Sequence, residues 1–593
     1  MTFRSILIAT ALWAGLSVPA FGFEATLTTT ASGSVRNRLS AASSVLEAER
    51  DEITQPSDII AAVQSDYRSL LGALYKSGYY APVVRISVDG REGSTLSLIT
   101  LPERISKVVI SVDTGPKFTF GTAKIAPVTP ETLVPLEFST GKTARSGAVG
   151  TAKDAAIDGW RAAGHPKATL TDQSIVADHN TNTLNVDLGI GPGPKATFGE
   201  LRFAGTKRVS PKRLEKITGA ITGKTFDPEL LDTAAARLRR TGAFRSVSIT
   251  EADSLNADDS LDILATVTDA APRRLGFGAE IDSLEGGTLS AYWLHRNISG
   301  KADRLRFDAE IGGLGSSTGV DYSIKANYRR PALTRPALTL IAEAEVSHLD
   351  EPNYLSDLTK LMVVAEKIIS EHSYFNGGIG FRYSDVTDDV GQRNFSHVIF
   401  PIEGERDYRD NVMSPTSGTY FYAQIMPYLG LSGSESGARF YADGRGYLGF
   451  GNDDRFVFAA RILAGSIVGS DTTTTPPDLL FYSGGGGTVR GQPYQSLNVD
   501  LGGGTETGGT SFVGLSTELR AGINEKLSLV GFADLGGIGA NAIPDDTMNW
   551  HAGAGLGLRY DTGFGPIRLD IAAPVSGSTG DGVQIYVGIG QAF

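Results

Sequence analysis

The sequence predicts an α+β repeat region followed by a transmembrane antiparallel β-barrel. Three observations carry that expectation: a glycine-marked heptapeptide that recurs 78 residues later, period-two alternation from Arg273 to Phe593, and a glycine-rich composition without a single cysteine. Glycine supplies 72 of 593 residues, well above the usual ~7%, and shows no collagen period. A hydrophobic content of 41% is too high for a disordered chain. An excess of 12 acidic charges, with no Lys/Arg-rich stripe, argues against nucleic acid, because neutralising phosphate takes clustered cations. The lack of cysteine excludes disulfides, Cys-ligated zinc and thiol catalysis.

Residues 1–22 read as a secretory signal peptide: Arg4, an apolar run from Ile6 to Val18, then Pro19 and the small-x-small pattern Ala20-Phe21-Gly22. At ~1.5 Å per residue that run falls short of a ~30 Å hydrocarbon core, and no later uncharged run reaches the ~18 residues of a helical span. The remainder is therefore expected to be exported.

Next come three repeats, 23–114, 115–192 and 193–270. Gly115-Pro116-Lys117-Phe118-Thr119-Phe120-Gly121 recurs as Gly193-Pro194-Lys195-Ala196-Thr197-Phe198-Gly199. Gly141-Lys142-Thr143 recurs as Gly223-Lys224-Thr225, Gly164 recurs as Gly242, and Gly78 marks an earlier copy. Each repeat reads as a β-α-α-β-β module. In the third, a strand from Ala196 to Phe203 precedes helices near Pro211 to Ile217 and Pro228 to Arg240, with Gly242 as the C-terminal stop. Phe244 to Thr250 and Ser260 to Thr268 then alternate as strands. Gly219 to Thr225 resembles a phosphate loop, but its first glycine is one residue too close, and Leu136 stands where the other copy would need that glycine. Both stretches read as tight turns.

Residues 271–593 form the barrel region. Leu305, Phe307, Ala309 and Ile311 alternate with Arg304, Arg306, Asp308 and Glu310, and the same apolar/ionic pattern returns in 320–328 and 338–347. A soluble sandwich alternates too, but the 321 residues from Arg273 to Phe593, with hardly any helical pattern, are many for one. Export, glycine, aromatics and the absence of disulfides favour a closed membrane barrel, where every backbone polar group pairs between strands. At roughly 20 residues per strand and connection, an even strand number in the teens fits. Val583, Ile585, Val587 and Ile589 share one face of the last strand, and Phe593 reads as a C-terminal assembly signal that presents an interface aromatic.

Phe481-Tyr482-Ser483-Gly484-Gly485-Gly486-Gly487-Thr488-Val489-Arg490-Gly491 resembles the lumenal-loop motif of the BamA and TamA family of outer-membrane barrel assembly factors. Asn297 to Leu305, Asp407 to Gly418, Gly565 to Pro574 and Gly590 to Phe593 resemble further motifs of that family. The resemblance implies three periplasmic POTRA domains, closest to the TamA arrangement, a 16-stranded barrel, and a lumenal loop over 478–510. It implies a loop motif of Gly486, Gly487, Val489, Arg490 and Gly491. Gln492 departs from the pattern, standing where the family has Phe or Tyr.

A lumenal guanidinium needs a carboxylate partner, and Asp534, Asp570 and Glu518 are the candidates for Arg490. Glycines weaken strands, so Gly276 and Gly278 in the first strand and Gly588 and Gly590 in the last mark a lateral gate. There an incoming hairpin would pair with 275–281 instead of exposing its backbone to lipid. The expected partners are outer-membrane lipid, unfolded β-barrel or autotransporter clients, and an inner-membrane-anchored protein of the TamB type; a two-partner secretion pore is the alternative. No enzyme, cofactor or metal is expected: Gly315 to Gly319 matches G-x-S-x-G but lies between alternating strands, and no H-E-x-x-H occurs.

Overall fold

The computed structural model describes residues 22–593 except 32, 98–100, 283–285, 316–318, 525, 563–564, 581 and 592. Residues 1–21, and with them nearly all of the expected signal peptide, lie outside the described residues, as does the centre of the G-x-S-x-G stretch. The chain divides into two compact units: one through residue 198 with 223–229 and 254–261, the other 199–222, 230–253 and 262–593.

The first module orders its strands Glu24–Thr29, Lys107–Asp113, Val83–Val88 and Arg91–Glu92 across one sheet. Its helices are Gly33–Ala42, Ser44–Arg50 and Pro56–Ser77, one more than the repeat pattern predicts. Pro56–Ser77 buries Ile59, Ile60, Val63, Leu70 and Leu74, spaced to line one helical face against the sheet. Proline opens this helix, and Gly78 closes it at φ 90°, where an L side chain would be strained. Asp66 lies on the same helix and is fully buried; it accepts from Ser43 Oγ at 2.5 Å and from the Ser44 N–H at 2.6 Å, fastening the start of the Ser44–Arg50 helix. Burial pushes the Asp66 carboxyl above the usual carboxylate range, against the pull of those hydrogen bonds. Its raised value adds stability in acid that is lost as pH climbs through it. Asp66→Ala is expected to cost ~1–3 kcal/mol by stranding buried donors, and faster amide exchange over 44–50 in the full chain would register it.

In the second module the strands run in the order Thr119–Ala126, Thr183–Gly191, Thr169–Asp178, with a single helix, Ser146–Ala162. The predicted first helix is absent: 127–145 is irregular, and it holds Pro127, Pro130 and Pro135, which cannot donate to a helical ladder. The third module keeps both helices, Pro211–Thr218 and Pro228–Arg240, and orders its strands Thr197–Ala204, Ser260–Asp269, Phe244–Glu251. The phosphate-loop look-alikes are turns that close on the first strand of their module. Gly141 N–H donates to Phe120 O and Gly223 N–H to Phe198 O, each at 2.8 Å. Both glycines have φ near 80°, the backbone reason for the recurrence.

From Arg273–Asp282 to Gln584–Ile589 the second unit is one antiparallel sheet of seventeen segments in sequence order. Gly391–Ile399 and Ile402–Asp407 are two halves of one strand, because both pair with the same neighbours on either side and only Phe400-Pro401 separates them. Sixteen strands result among the described residues. Large apolar side chains point outward: Phe277 is 79% exposed, and Ile324, Leu448, Leu556 and Ile589 are all above 60%. Charged residues such as Arg382, Asp443, Glu518, Asp534, Arg559 and Asp570 are buried. A soluble sandwich has the opposite arrangement, and an apolar surface of this extent requires lipid. Among the described residues no ladder joins the first strand to the last, although the two lie side by side.

Candidate functional site

The segment between the strands Phe456–Val468 and Ser511–Gly522 folds back into the lumen and starts at Gly469, earlier than the expected 478. Bridges Phe481 to Gly509 and Ser483 to Leu497 turn it into a returning loop. Leu479, Leu480, Phe481, Leu497 and Val499 pack against Ile399, Tyr428, Leu463, Ile467 and Phe512 of the inner wall. Arg382 pairs with Asp478, and Arg439 Nε donates to Leu479 O at 2.9 Å. Apolar contacts and ion pairs thus seat the base of the loop and leave its tip to aim Arg490.

Arg490 is 2% exposed and meets all three carboxylates that the sequence nominates. Its guanidinium grips Asp534 bidentately, Nε to Oδ2 at 2.8 Å and Nη2 to Oδ1 at 3.0 Å, while its own backbone N–H reaches Asp534 Oδ2 at 3.1 Å. Nη1 donates to Glu518 Oε1 at 2.6 Å and Asp570 Oδ2 at 3.3 Å. The guanidinium also lies 3.6 Å from the ring centre of Phe532. Three carboxylates around one cation would leave surplus buried negative charge, and two further arginines remove it. Arg520 Nε donates to Glu518 Oε2 at 2.8 Å, and Arg559 pairs with Asp570. These balanced charges sit where water is scarce, so each is held in place by the others. Sequence reading missed Arg520, Arg559 and Phe532. The first two follow a usable signal, an ionic residue two positions from another on an alternating strand, as in Glu518 and Arg520.

The glycines of the motif have distinct duties. Val489 is fully buried beside the exposed Gly487, whose carbonyl accepts from Arg461 Nη1 at 3.1 Å. Gly486 lies against the Tyr586 ring. Gly491 adopts φ 92°, a Cβ there would fall 2.6 Å from Ala573 O, and its N–H donates to Tyr586 Oη of the last strand at 2.8 Å. Opposite, Gly553 leaves room for the Arg490 carbonyl. The loop tip is seated as closely as backbone allows.

Gln492, which replaces an aromatic, is fully buried and hydrogen-bonded at both ends of its amide. Nε2 donates to Ala552 O at 2.8 Å and Ser576 O at 3.1 Å, and Oε1 accepts from Thr579 Oγ1 at 2.9 Å. Thr579 also meets His551 Nδ1, and His551 Nε2 meets Ser483 Oγ at 2.8 Å. Gln492→Phe is expected to lower barrel stability by ~2–3 kcal/mol, because two carbonyls lose their donor in a closely packed site. A lower temperature for the heat-induced gel shift of the folded barrel would show it.

Arg490, Gly491 and Gln492 therefore hold the last five strands. Glu518 and Asp534 lie on the first two of these, Ala552 on the third, Asp570 and Ser576 on the fourth, and Tyr586 on the fifth. At the expected gate, Gly276 faces the Tyr292 ring and Gly278 faces Ser290 across the first hairpin. Gly588 pairs with Arg568, but Gly590 falls beyond the last strand at φ 93°, with its N–H on Pro566 O. Phe593 is not an outward aromatic. Its ring is 6% exposed inside the barrel with Tyr447 and Ala459, and Arg520 lies 5.9 Å from it, so the chain turns inward after Ile589.

Residues 297–593 match the Omp85 superfamily domain, and residues 196–268 match the POTRA domain described as a surface antigen variable number repeat. Among solved structures the chain is similar to BamA from Haemophilus ducreyi lacking POTRA domains 1–3. The identity is 17% and the TM-score 0.59, over 79% of this chain and 99% of that one. It also aligns with CdiB from Acinetobacter baumannii at 13% identity and a TM-score of 0.49, over 79% of this chain and 89% of that one.

Proposed function

Because this chain belongs to the Omp85 superfamily, we propose that it is an outer-membrane assembly factor of the TamA type, with its N-terminal modules in the periplasm. Its clients are β-barrel or autotransporter chains, inserted at the seam between the first and last strands. The observation that carries this reading is the missing ladder between Arg273–Asp282 and Gln584–Ile589 among the described residues. A hairpin entering lipid leaves N–H and C=O groups unpaired at several kcal/mol each, and a strand edge at the seam supplies their partners. The loop tip grips the last five strands and leaves the first untouched, so the incoming strand pairs with 275–281. The first module's sheet ends on Glu24–Thr29 and the second's on Thr169–Asp178, edges that suit strand addition by a client or by a TamB-like partner. The cycle requires no catalytic residue and no cofactor.

Purified protein in liposomes is expected to accelerate folding of an unrelated outer-membrane barrel several-fold over empty liposomes. A two-partner secretion pore would instead leave that rate unchanged and export a dedicated partner. Such a pore shares the barrel and the Arg490 motif but would conduct ions more readily, so low ion conductance in planar bilayers is the accompanying expectation of the assembly reading.

A further inference from the structure

Segments 205–218, 237–245, 296–304 and 329–337 hold fifteen Lys and Arg against two acidic residues, Glu215 and Asp303, in a chain of net charge −12. The fold draws the first, third and fourth of them together. Arg213, buried on the helix Pro211–Thr218, forms no ion pair with a carboxylate among the described residues; it donates from Nε to Lys301 O at 2.9 Å, from Nη1 to Ala332 O at 3.1 Å, and from Nη2 to Pro331 O. Lys216 Nζ reaches Leu333 O at 2.9 Å, and Asn297 Nδ2 donates to Arg208 O at 3.0 Å. Val209, Leu214 and Ile217 pack with Ala302 and Ala332 under these bonds. One helix of the third module and two strand-connecting turns thereby form a continuous surface.

Lys207, Arg208, Lys212, Lys301 and Arg335 stand exposed on it, and among the described residues none of their side-chain cations has a carboxylate within 4.0 Å, although the Lys207 backbone N–H donates to Asp269 Oδ2 at 3.1 Å. Asp303 does not neutralise them, because it is buried and accepts from Ser299 and Tyr328. The charge is one-sided: at the same end of the barrel, turn 408–417 carries one arginine and one aspartate, and turn 451–455 carries two aspartates and one arginine. The surface also borders the lipid-facing wall. Arg330 shares the outward parity of Tyr322 and Ile324 along its strand, and Arg273 shares that of Leu275 and Phe277.

We propose that this cationic surface binds the phosphates of anionic phospholipids in the adjoining leaflet, next to the seam. The cations lie on a helix and turns at the edge of an apolar band, where a bilayer brings phosphates at high density. Each cation near an anionic membrane surface contributes a factor of about five in affinity. Lipid binding here would hold the third module at the membrane beside the first strand, where a client arrives. The inference rests on the barrel being embedded in lipid.

The test uses the full chain in phosphatidylcholine nanodiscs containing phosphatidylglycerol, with retained lipid counted by native mass spectrometry. Phosphatidylglycerol is expected to be enriched about five-fold or more over bulk. The combined Lys207→Glu, Lys212→Glu and Lys301→Glu variant is expected to bring the ratio close to bulk, whereas Lys107→Glu with Lys124→Glu leaves it unchanged. Should the triple variant not fold, Lys212→Gln alone is expected to lower the enrichment measurably. Unchanged enrichment in the folded triple or the single variant overturns the proposal. Displacement by millimolar inorganic phosphate overturns it in favour of a free-phosphate site, and polyglutamate binding without phosphatidylglycerol enrichment overturns it in favour of an acidic protein. Failure of the wild-type chain to enter nanodiscs at all would instead strike the membrane reading beneath it.

Discussion

Arg490→Ala is expected to abolish client insertion and to cost the barrel ~3–5 kcal/mol, the range for removing one partner from a buried ion pair. The size follows from what remains. Asp534, Glu518 and Asp570 would face only Arg520 and Arg559, the loop tip would lose both its bidentate grip and its stacking on Phe532, and water would have to enter to solvate the surplus charge. Arg490→Lys is expected to recover only a minor part, since an ammonium cannot span both oxygens of Asp534 while reaching Glu518. The liposome folding assay measures the first effect, and melting of the folded barrel, followed by its gel shift, measures the second. Wild-type behaviour of Arg490→Ala in both would remove the loop from the mechanism.

Closing the seam covalently should have an effect as large on function without destabilising the barrel. The native chain has no cysteine, so pairs introduced one in 275–279 and one in 585–589 report only on each other. A pair that oxidises is expected to reduce client folding to the rate of empty liposomes, and a reductant is expected to restore it. Full activity with a quantitatively formed cross-link would mean that the first and last strands never part during the cycle, and templating at that edge would have to be abandoned.

Much of the architecture is legible in the sequence because it rests on local rules. Positive-φ glycines recur at Gly115 and Gly193 and at Gly141 and Gly223, since each copy needs the same backbone turn. Period-two alternation identifies the barrel because a strand bounded by lipid on one side and by an ionic lumen on the other has no other way to distribute its side chains. The likeness of one loop to a family motif points to Arg490, and the requirement that a buried cation be paired points to Asp534, Glu518 and Asp570. The missing helix at 127–145 is also visible in retrospect, in its three prolines.

Other features depend on which distant residues the closed sheet brings together. That all three carboxylates share one guanidinium, that Arg520 and Arg559 balance them, and that Gln492 finds two carbonyls and a threonine where an aromatic was expected are matters of register between residues up to 87 apart. Phe593 points inward because the chain turns after Ile589, and alternation alone does not foresee a turn past the end of a strand. The cationic surface is the clearest case. No stretch of the sequence reads as a basic stripe, yet Lys207, Lys212, Lys301 and Arg335 become neighbours because Arg213 takes the carbonyls of two turns that lie 88 to 119 residues further along the chain. Charge and hydrophobic period are properties of segments and can be read from them, whereas charge density at a surface is a property of the packing.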